Sequence, residues 1–360
     1  MGRLQFLSLL LALKVLHVGI WFIPNLASTR EIALDPFRNP FGNPEADYLL
    51  HTWLSPMLSW LIGANTFTEV LLLHLCITGL FLIVVTLTLF EILPEPQARV
   101  ALIIFWSAPV SGVSLYWIGP DSLTLFLLAS ACVLNRRPPV VFVLGLLLGL
   151  QHFEQAVFGA ISLVPLVMFP SRDRWVPNVA KSFVPVLFTG LVLGKIALLA
   201  IFSTFPEDVN SGRPYWLITN FASLTADFVS LPLITLWSGL GMCWIALAKF
   251  AQEVRCSARL LIALAIPCSV LPVVADPTRV LAITSFPLLY FTLLTSQKHL
   301  TRWDRPQAAR WMVTAVVIPW LWVWGGTVHT STFFYGAVWL LNRTSGLFEL
   351  PNDLALWPFR

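Results

Sequence analysis

The chain has 360 residues, of which 57% are hydrophobic and only 11% are charged. A soluble domain carries about 25% charged residues, so this composition excludes a soluble protein and requires lipid to cover much of the surface. The net charge of +4 is spread over short loops without a basic patch, which excludes a nucleic-acid partner. We therefore expect an all-α, polytopic membrane helix bundle in which residues 1–360 form a single integral-membrane domain.

Apolar segments follow one another along the chain and predict about 11 transmembrane helices. They span 4–24, 69–93, 100–118, 121–135, 139–152, 155–170, 182–203, 228–248, 258–275, 279–296 and 311–327. The segments 139–152 and 155–170 are shorter than the ~20 residues that cross a bilayer. This pair forms either two short helices that meet near the outer face, or one long helix with a re-entrant piece.

Two longer segments are predicted to lie outside the membrane on one side. The outer loop 25–68 is rich in Pro, Asn and Gly up to Asp47, which forbids a regular helix there. From Ala46 onward, apolar residues recur at helical spacing, which predicts an amphipathic juxtamembrane helix on the membrane surface. The second outer segment, 328–360, is aromatic and polar.

The distribution of charge predicts the topology. Fourteen of the 22 Lys and Arg residues fall in loops on the side of the N-terminus, six fall on the other side, and two lie within helices. Thirteen of the 18 Asp and Glu residues fall on the side opposite the N-terminus. By the positive-inside rule, we predict a multi-pass protein of the bacterial inner membrane, with a cytoplasmic N-terminus and an extracytoplasmic C-terminus.

Acidic residues collect at the predicted outer ends of the helices. Asp35, Glu45 and Asp47 lie in the first outer loop, and Asp121 begins a helix after Gly119-Pro120. Asp121 is either part of a functional site or a simple N-terminal cap that the helix dipole favours.

Two further pairs of charged residues lie between apolar runs, at the same predicted outer ends of the helices. His152 and Glu154 separate the two short segments, and Asp276 and Arg279 form an Asp-Pro-Thr-Arg turn. Ionisable groups at that depth are costly and favour a functional site. The alternatives are a turn that reaches the lipid headgroups, and a local Asp–Arg pair that closes its own turn.

Three basic residues lie within predicted helices. Lys14 and His17 are three positions apart and share one helix face. Lys195 lies in the seventh segment, where it can either pair with an acid or bind a phosphate.

Several common chemistries are absent from the sequence. It contains no P-loop, no G-x-G-x-x-G, no H-E-x-x-H and no G-x-S-x-G motif. The six His and five Cys residues form no metal-ligand or disulfide pattern, so no metal site is predicted, although carboxylates leave a divalent cation possible as a cofactor.

Outer carboxylates beside basic groups suit two functions. The first is transfer of a sugar from a lipid-phosphate carrier, which needs a carboxylate base, a cation for the phosphate and an apolar groove. The second is proton-coupled solute transport, but transporters place ionisable groups near the midplane of two repeated halves, and no repeat is visible. A lipid-linked glycan polymerase or ligase is a third alternative, because it would use a site on the same face.

The arrangement resembles the GT-C superfamily of integral-membrane glycosyltransferases. The resemblance lies in Glu45–Trp60 (EADYLLHTWLSPMLSW), in Tyr116–Ala129 (YWIGPDSLTLFLLA), in the basic Asn135-Arg-Arg, and in a helix containing Gly145 and Gly149. The chain departs from the family in lacking adjacent acidic residues in the first loop. The resemblance implies a polyprenyl-phosphate-linked sugar donor and a glycan, lipid or protein acceptor at the extracytoplasmic face of the lipid bilayer.

The resemblance also implies roles for individual residues. A first-loop acid would be the general base, so we assign Asp47 to this role with Asp35 as its rival. The substrate-binding residues would be Arg279 and His152 at the phosphate, Asp121 and Glu154 at acceptor hydroxyls or a metal ion, and Asp276 beside Arg279.

Overall fold

The computed structural model describes residues 2–41, 46–167, 179–207, 209, 212–253, 257–295 and 300–331, and these residues are mostly helical. The helices are α1 (Arg3–Val18), α2 (Leu26–Leu34), α3 (Leu54–Leu61), α4 (Phe67–Ile92), α5 (Glu95–Ser107), α6 (Pro109–Tyr116), α7 (Pro120–Val133), α8 (Pro138–Ile161), α9 (Val164–Val167), α10 (Phe183–Phe202), α11 (Gly212–Ser230), α12 (Pro232–Leu240), α13 (Cys243–Glu253), α14 (Ser257–Cys268), α15 (Pro277–Thr284), α16 (Phe286–Thr295) and α17 (Arg305–Val317). Short 3-10 helices cover Asp47–Thr52 and Leu271–Val273.

Local sequence signals set many of the helix starts. A proline is the first residue of α6, α7, α8, α12 and α15, a position where its missing N–H is harmless and its fixed φ suits the helix. Helix α4 begins with a capping box, in which Glu69 N–H donates to Thr66 Oγ1 and Thr66 N–H donates to Glu69 Oε2.

Several described helices can span a membrane, as the sequence predicts. By length and apolar composition these are α4, the stretch Pro138–Val167 and α10, or up to six spans if each bent helix pair counts as one. The bent pairs are α5–α6, at 58°, α11–α12, at 83°, and α15–α16, at 40°. The count of about 11 crossings and the orientation of the termini remain predictions.

Helix α8 contains the break that the sequence suggested. His152 has a non-helical backbone (φ −157°, ψ 75°). Before the break, Gly145 and Gly149 pack on Gly190 and Gly194 of α10, and this order makes the two helices parallel. The N–H of Ala180, just before α10, donates to the side chain of Asn135, just before α8. Helices α8 and α10 therefore begin on the same side of the bundle, and how often the chain crosses the membrane between them stays a prediction.

The prediction of a helix at 311–327 is wrong in its second half. Helix α17 ends at Val317, and the chain continues as the antiparallel strands β1 (Trp320–Trp324) and β2 (Thr327–Ser331). Gly325 and Gly326 have positive φ values of 52° and 71°, as a two-residue hairpin loop of type I′ requires. The bundle is thus not purely α-helical, since a hairpin packs among its helices.

The first predicted outer loop contains short helices with one buried side. After α2, the 3-10 helix and α3 bury Leu50, Ser55 and Ser59, whereas Trp60 and Leu61 are exposed. This pattern agrees with the amphipathic segment predicted from Ala46. Glu45 lies outside the described residues, as does all of the predicted outer C-terminal segment 328–360 beyond Ser331.

Candidate functional site

Five of the seven predicted site residues line one cavity of about 570 Å³. They are Asp121, His152, Glu154, Asp276 and Arg279. The cavity lies where α7 and α15 begin and where α8 breaks, so helices that are distant in sequence each place a polar side chain in its wall. We call this end of the bundle the cavity end.

Two hydrogen bonds position these elements. Gln151 Nε2 donates to Pro120 O at 2.7 Å, which holds the break in α8 beside the first turn of α7 and therefore His152 near Asp121. Asp276 caps α15, since its Oδ1 accepts the N–H of Arg279 at 3.1 Å. The cap fixes Asp276 and Arg279 on the same helical turn.

Arg279 lies between two carboxylates. Its Nη1 is 2.9 Å from Asp121 Oδ2, and its Nε is 2.9 Å from Asp276 Oδ2. Both carboxylates are buried, so the pairing is electrostatically strong.

The carboxyl group of Asp276 is unusually basic. Burial raises its pKa to about 6, and the negative charge of Asp121 acts in the same direction, whereas Arg279 lowers the pKa. Near neutral pH Asp276 is therefore close to its titration range. One of the two counter-charges of Arg279, that of Asp276, is therefore titratable near neutral pH.

A second charged cluster adjoins the cavity at the break in α8. Glu154 Oε2 lies 3.7 Å from His152 Nδ1, and Glu154 Oε1 lies 3.5 Å from Lys195 Nζ on α10. Lys195 Nζ also lies 2.8 Å from His51 Nδ1. Lys195 thus pairs with an acid, which was one of its two predicted roles, and it helps to hold Glu154 at the cavity.

The two predicted bases do not line the cavity. Asp47 is buried and its Oδ1 accepts a hydrogen bond from Asn39 Nδ2 at 2.8 Å, which ties the loop before the 3-10 helix to that helix. Asp35 is exposed at the end of α2, and its Oδ1 accepts from Phe37 N–H. Sequence reasoning placed them in the correct loop, but the neighbour of Asp47, Tyr48, is the residue that reaches the cavity.

Sequence reasoning missed the aromatic wall of the cavity. Tyr48, Trp117, Trp216 and Trp324 line it. Trp117 and Trp324 have ring centroids 5.2 Å apart, and Tyr48 and Trp216 have theirs 5.8 Å apart. The 16 Trp residues in the sequence are compatible with a lipid interface as well, so their number alone did not indicate this site.

Lys14 and His17 lie elsewhere in the bundle. Lys14 Nζ donates to Ala108 O at 3.2 Å, at the break between α5 and α6, where a cation satisfies a carbonyl at the C-terminal end of a helix. His17 Nε2 lies 2.9 Å from Ile318 O. Neither residue lines the 570 Å³ cavity.

The described residues contain no group of three or more His, Cys, Asp or Glu side chains that could hold a metal ion. At the cavity, the guanidinium of Arg279 occupies the space between the carboxylates of Asp121 and Asp276. The guanidinium of Arg279 thus already neutralises the negative charge of these carboxylates, which a bound cation would otherwise neutralise.

Comparisons with protein-family models, curated proteins and solved structures found no match to this chain.

Proposed function

We propose that this protein is a membrane glycosyltransferase of GT-C type, which moves a sugar from a polyprenyl-phosphate carrier to an acceptor hydroxyl. The proposal depends on one observation. Arg279 lies between the buried carboxylates of Asp121 and Asp276, in a cavity with aromatic walls. A half-buried guanidinium suits a phosphate oxyanion. Aromatic faces and a few polar side chains suit a sugar ring.

Apolar residues give the cavity a surface for a lipid chain. Phe158, Leu217, Val270 and Val273 line it together with the charged groups. A ligand that carries both a phosphate and a long hydrocarbon chain would match both parts of the cavity. A soluble nucleotide sugar would match only the charged part.

The chemistry follows from the pairing of Arg279. The donor phosphate binds the guanidinium in place of Asp121, and the freed carboxylate of Asp121 accepts the proton of the acceptor hydroxyl. The acceptor oxygen forms a bond to the anomeric carbon as the bond from that carbon to the phosphate oxygen breaks. The lipid phosphate leaves with the electron pair, stabilised by Arg279, and the configuration at the anomeric carbon inverts.

This proposal moves the base from the first loop to Asp121. The earlier candidates, Asp47 and Asp35, do not line the cavity, whereas Asp121 lies beside Arg279. Asp276 is the weaker candidate because it caps α15. Glu154, whose side chain is 38% exposed, would bind acceptor hydroxyls with His152.

The decisive experiment uses purified protein in nanodiscs with polyprenyl-phosphate sugars and an extract of envelope acceptors. Wild type should transfer the sugar, and Asp121→Asn should abolish transfer while donor binding persists. Arg279→Gln should lose donor binding, whereas Arg38→Gln should not, because Arg38 is exposed and pairs with Glu207. Full activity of Asp121→Asn together with loss in Asp47→Asn would return the base to the first loop.

One observation favours a transporter as the second candidate. The break at His152 and the bent pairs α5–α6 and α11–α12 are discontinuous helices, which many transporters use to build substrate sites. Solute flux in proteoliposomes without any lipid-linked sugar would support that function and overturn ours. Transfer only between lipid-linked oligosaccharides would indicate a polymerase or ligase.

A further inference from the structure

The hairpin formed by β1 and β2 contacts the candidate site through its backbone. In an antiparallel pair, every second residue of β1 turns its N–H away from β2, to the open edge. The N–H of Val323 donates to Thr278 Oγ1 at 2.9 Å, and the N–H of Gly325 donates to Ala275 O at 2.8 Å. The open edge of β1 and the loop residue Gly325 that follows it therefore bind residues on both sides of Asp276.

Thr278 is the side chain through which this contact reaches α15. It is fully buried and directly precedes Arg279. The hydroxyl oxygens of Thr278 and Ser238 lie 2.5 Å apart and share a hydrogen bond in which either can be the donor. The Thr278 oxygen also accepts from the N–H of Val323, so a hydrogen-bonded chain links β1, α15 and α12.

The hairpin itself is anchored at its base. His17 Nε2 lies 2.9 Å from Ile318 O, just before β1, and Ser331 Oγ donates to His17 O at 3.0 Å at the end of β2. Near its tip, Trp324 packs on Trp117 in the cavity wall. The hairpin is therefore attached to α1 at one end and to the cavity at the other.

We infer that the open edge of β1 positions Arg279, and that Thr278 is the positioning residue that transmits this effect. Its effect on transfer rests on the proposed function, in which Arg279 binds the phosphate. Arg279 Nη1 and Nε each lie 2.9 Å from a carboxylate on a different helix end, Asp121 and Asp276, so the placement of the guanidinium between them depends on how firmly its helical turn is held. A misplacement of about 1 Å can lower a catalytic rate about 100-fold, and rigid support reduces such displacement.

The test compares Thr278→Val, which removes only the hydroxyl, with Thr278→Ser, which keeps it. Thr189→Val is the matched control, because Thr189 is exposed on α10 and its hydroxyl bonds, within the described part of the chain, to Pro185 O of its own helix. For folded protein in nanodiscs, Thr278→Val should lower kcat about tenfold or more, with the donor KM changed less. Thr278→Ser should restore kcat, and Thr189→Val should equal wild type.

Hydrogen–deuterium exchange provides a readout that does not depend on transfer. Amides of residues 275–284 should exchange faster in Thr278→Val than in wild type, and at the wild-type rate in Thr278→Ser. Unchanged kcat and unchanged exchange in Thr278→Val would overturn the inference, as would a Thr278→Ser variant as impaired as Thr278→Val. If wild type transfers no sugar, the proposed function fails, and the exchange measurement still decides whether Thr278 holds this turn.

Discussion

Arg279 Nη1 and Asp121 Oδ2 lie 2.9 Å apart, and only 6% of the Asp121 side chain is exposed. The two residues begin different helices, α15 and α7, so this pair joins two helix N-termini at the cavity end. The dipole at a helix N-terminus favours the acid and disfavours the cation. Arg279 therefore depends on Asp121 and Asp276 for its stability in this position.

Removal of the positive charge at Arg279 should destabilise the protein strongly. Arg279→Gln leaves two buried carboxylates close together, and loss of one partner of a buried ion pair costs about 3–5 kcal/mol. Arg38→Gln, which breaks an exposed pair with Glu207, should change stability little, because solvent screens such a pair. Unfolding in detergent monitors both variants.

A double variant provides the internal control for this prediction. Asp121→Asn in the Arg279→Gln background removes one uncompensated charge and should recover part of the lost stability. If the double variant is less stable than Arg279→Gln alone, repulsion between the two carboxylates is not the cause of the defect.

Anion binding should depend on pH through Asp276. Its pKa is raised to about 6, so above that pH the ionised carboxylate competes for Arg279, and below it the neutral acid does not. A polyprenyl phosphodiester keeps its charge over this range, and its affinity should rise as the pH falls from 7 to 5. Binding to protein in nanodiscs at several pH values measures this change.

The variant Asp276→Asn separates this effect from other groups at the cavity. Asp121 and Tyr48 also act electrostatically on Arg279, and His152 lines the same cavity. Asp276→Asn should bind the phosphodiester at pH 7 about as tightly as wild type does at pH 5. A pH dependence as steep as that of wild type would assign the effect to another group.

The sequence predicted at which end of each helix the polar residues lie. It did not predict which of these residues contact one another in the bundle. Asp121, His152, Glu154, Asp276 and Arg279 all end apolar runs on one predicted side, and all line the cavity. The ends of the apolar segments give the position of a side chain along its helix. The order of the helices in the bundle and their rotation about their axes depend on long-range packing.

The first loop illustrates the limit of such reasoning. The 3-10 helix places Asp47 beside Asn39 and Tyr48 at the cavity, and no periodic signal in the sequence encodes that placement. The hairpin, by contrast, did have a signal. The sequence WLWVW-GG-TVHTS contains two strand-like runs around a Gly-Gly pair, but its first run follows closely on the apolar helix and was included in the same predicted segment.

The contact between α8 and α10 should be intolerant of added methyl groups. A Cβ at Gly194 would overlap Leu146 O, and one at Gly149 would overlap Leu191 O. Gly194→Ala should therefore lower the free energy of unfolding by about 1–3 kcal/mol. Gly79→Ala in α4, where no atom lies within 4 Å of the added carbon, should be neutral or stabilising by about 0.5–1 kcal/mol. Equal effects of the two substitutions would contradict the close packing of these helices.

The hairpin loop offers a comparison between two glycines with similar backbone conformations. Gly325 and Gly326 both have positive φ, so alanine at either position should cost about 1–2 kcal/mol in backbone strain. A Cβ at Gly325 meets nothing within 4 Å, whereas one at Gly326 lies 2.5 Å from Asp227 Oδ1 on α11. Gly326→Ala should therefore destabilise the protein more than Gly325→Ala, as measured by thermal unfolding. Asp227→Ala in the Gly326→Ala background should remove the difference, and a persistent difference would mean that the hairpin tip does not pack against α11 through this side chain.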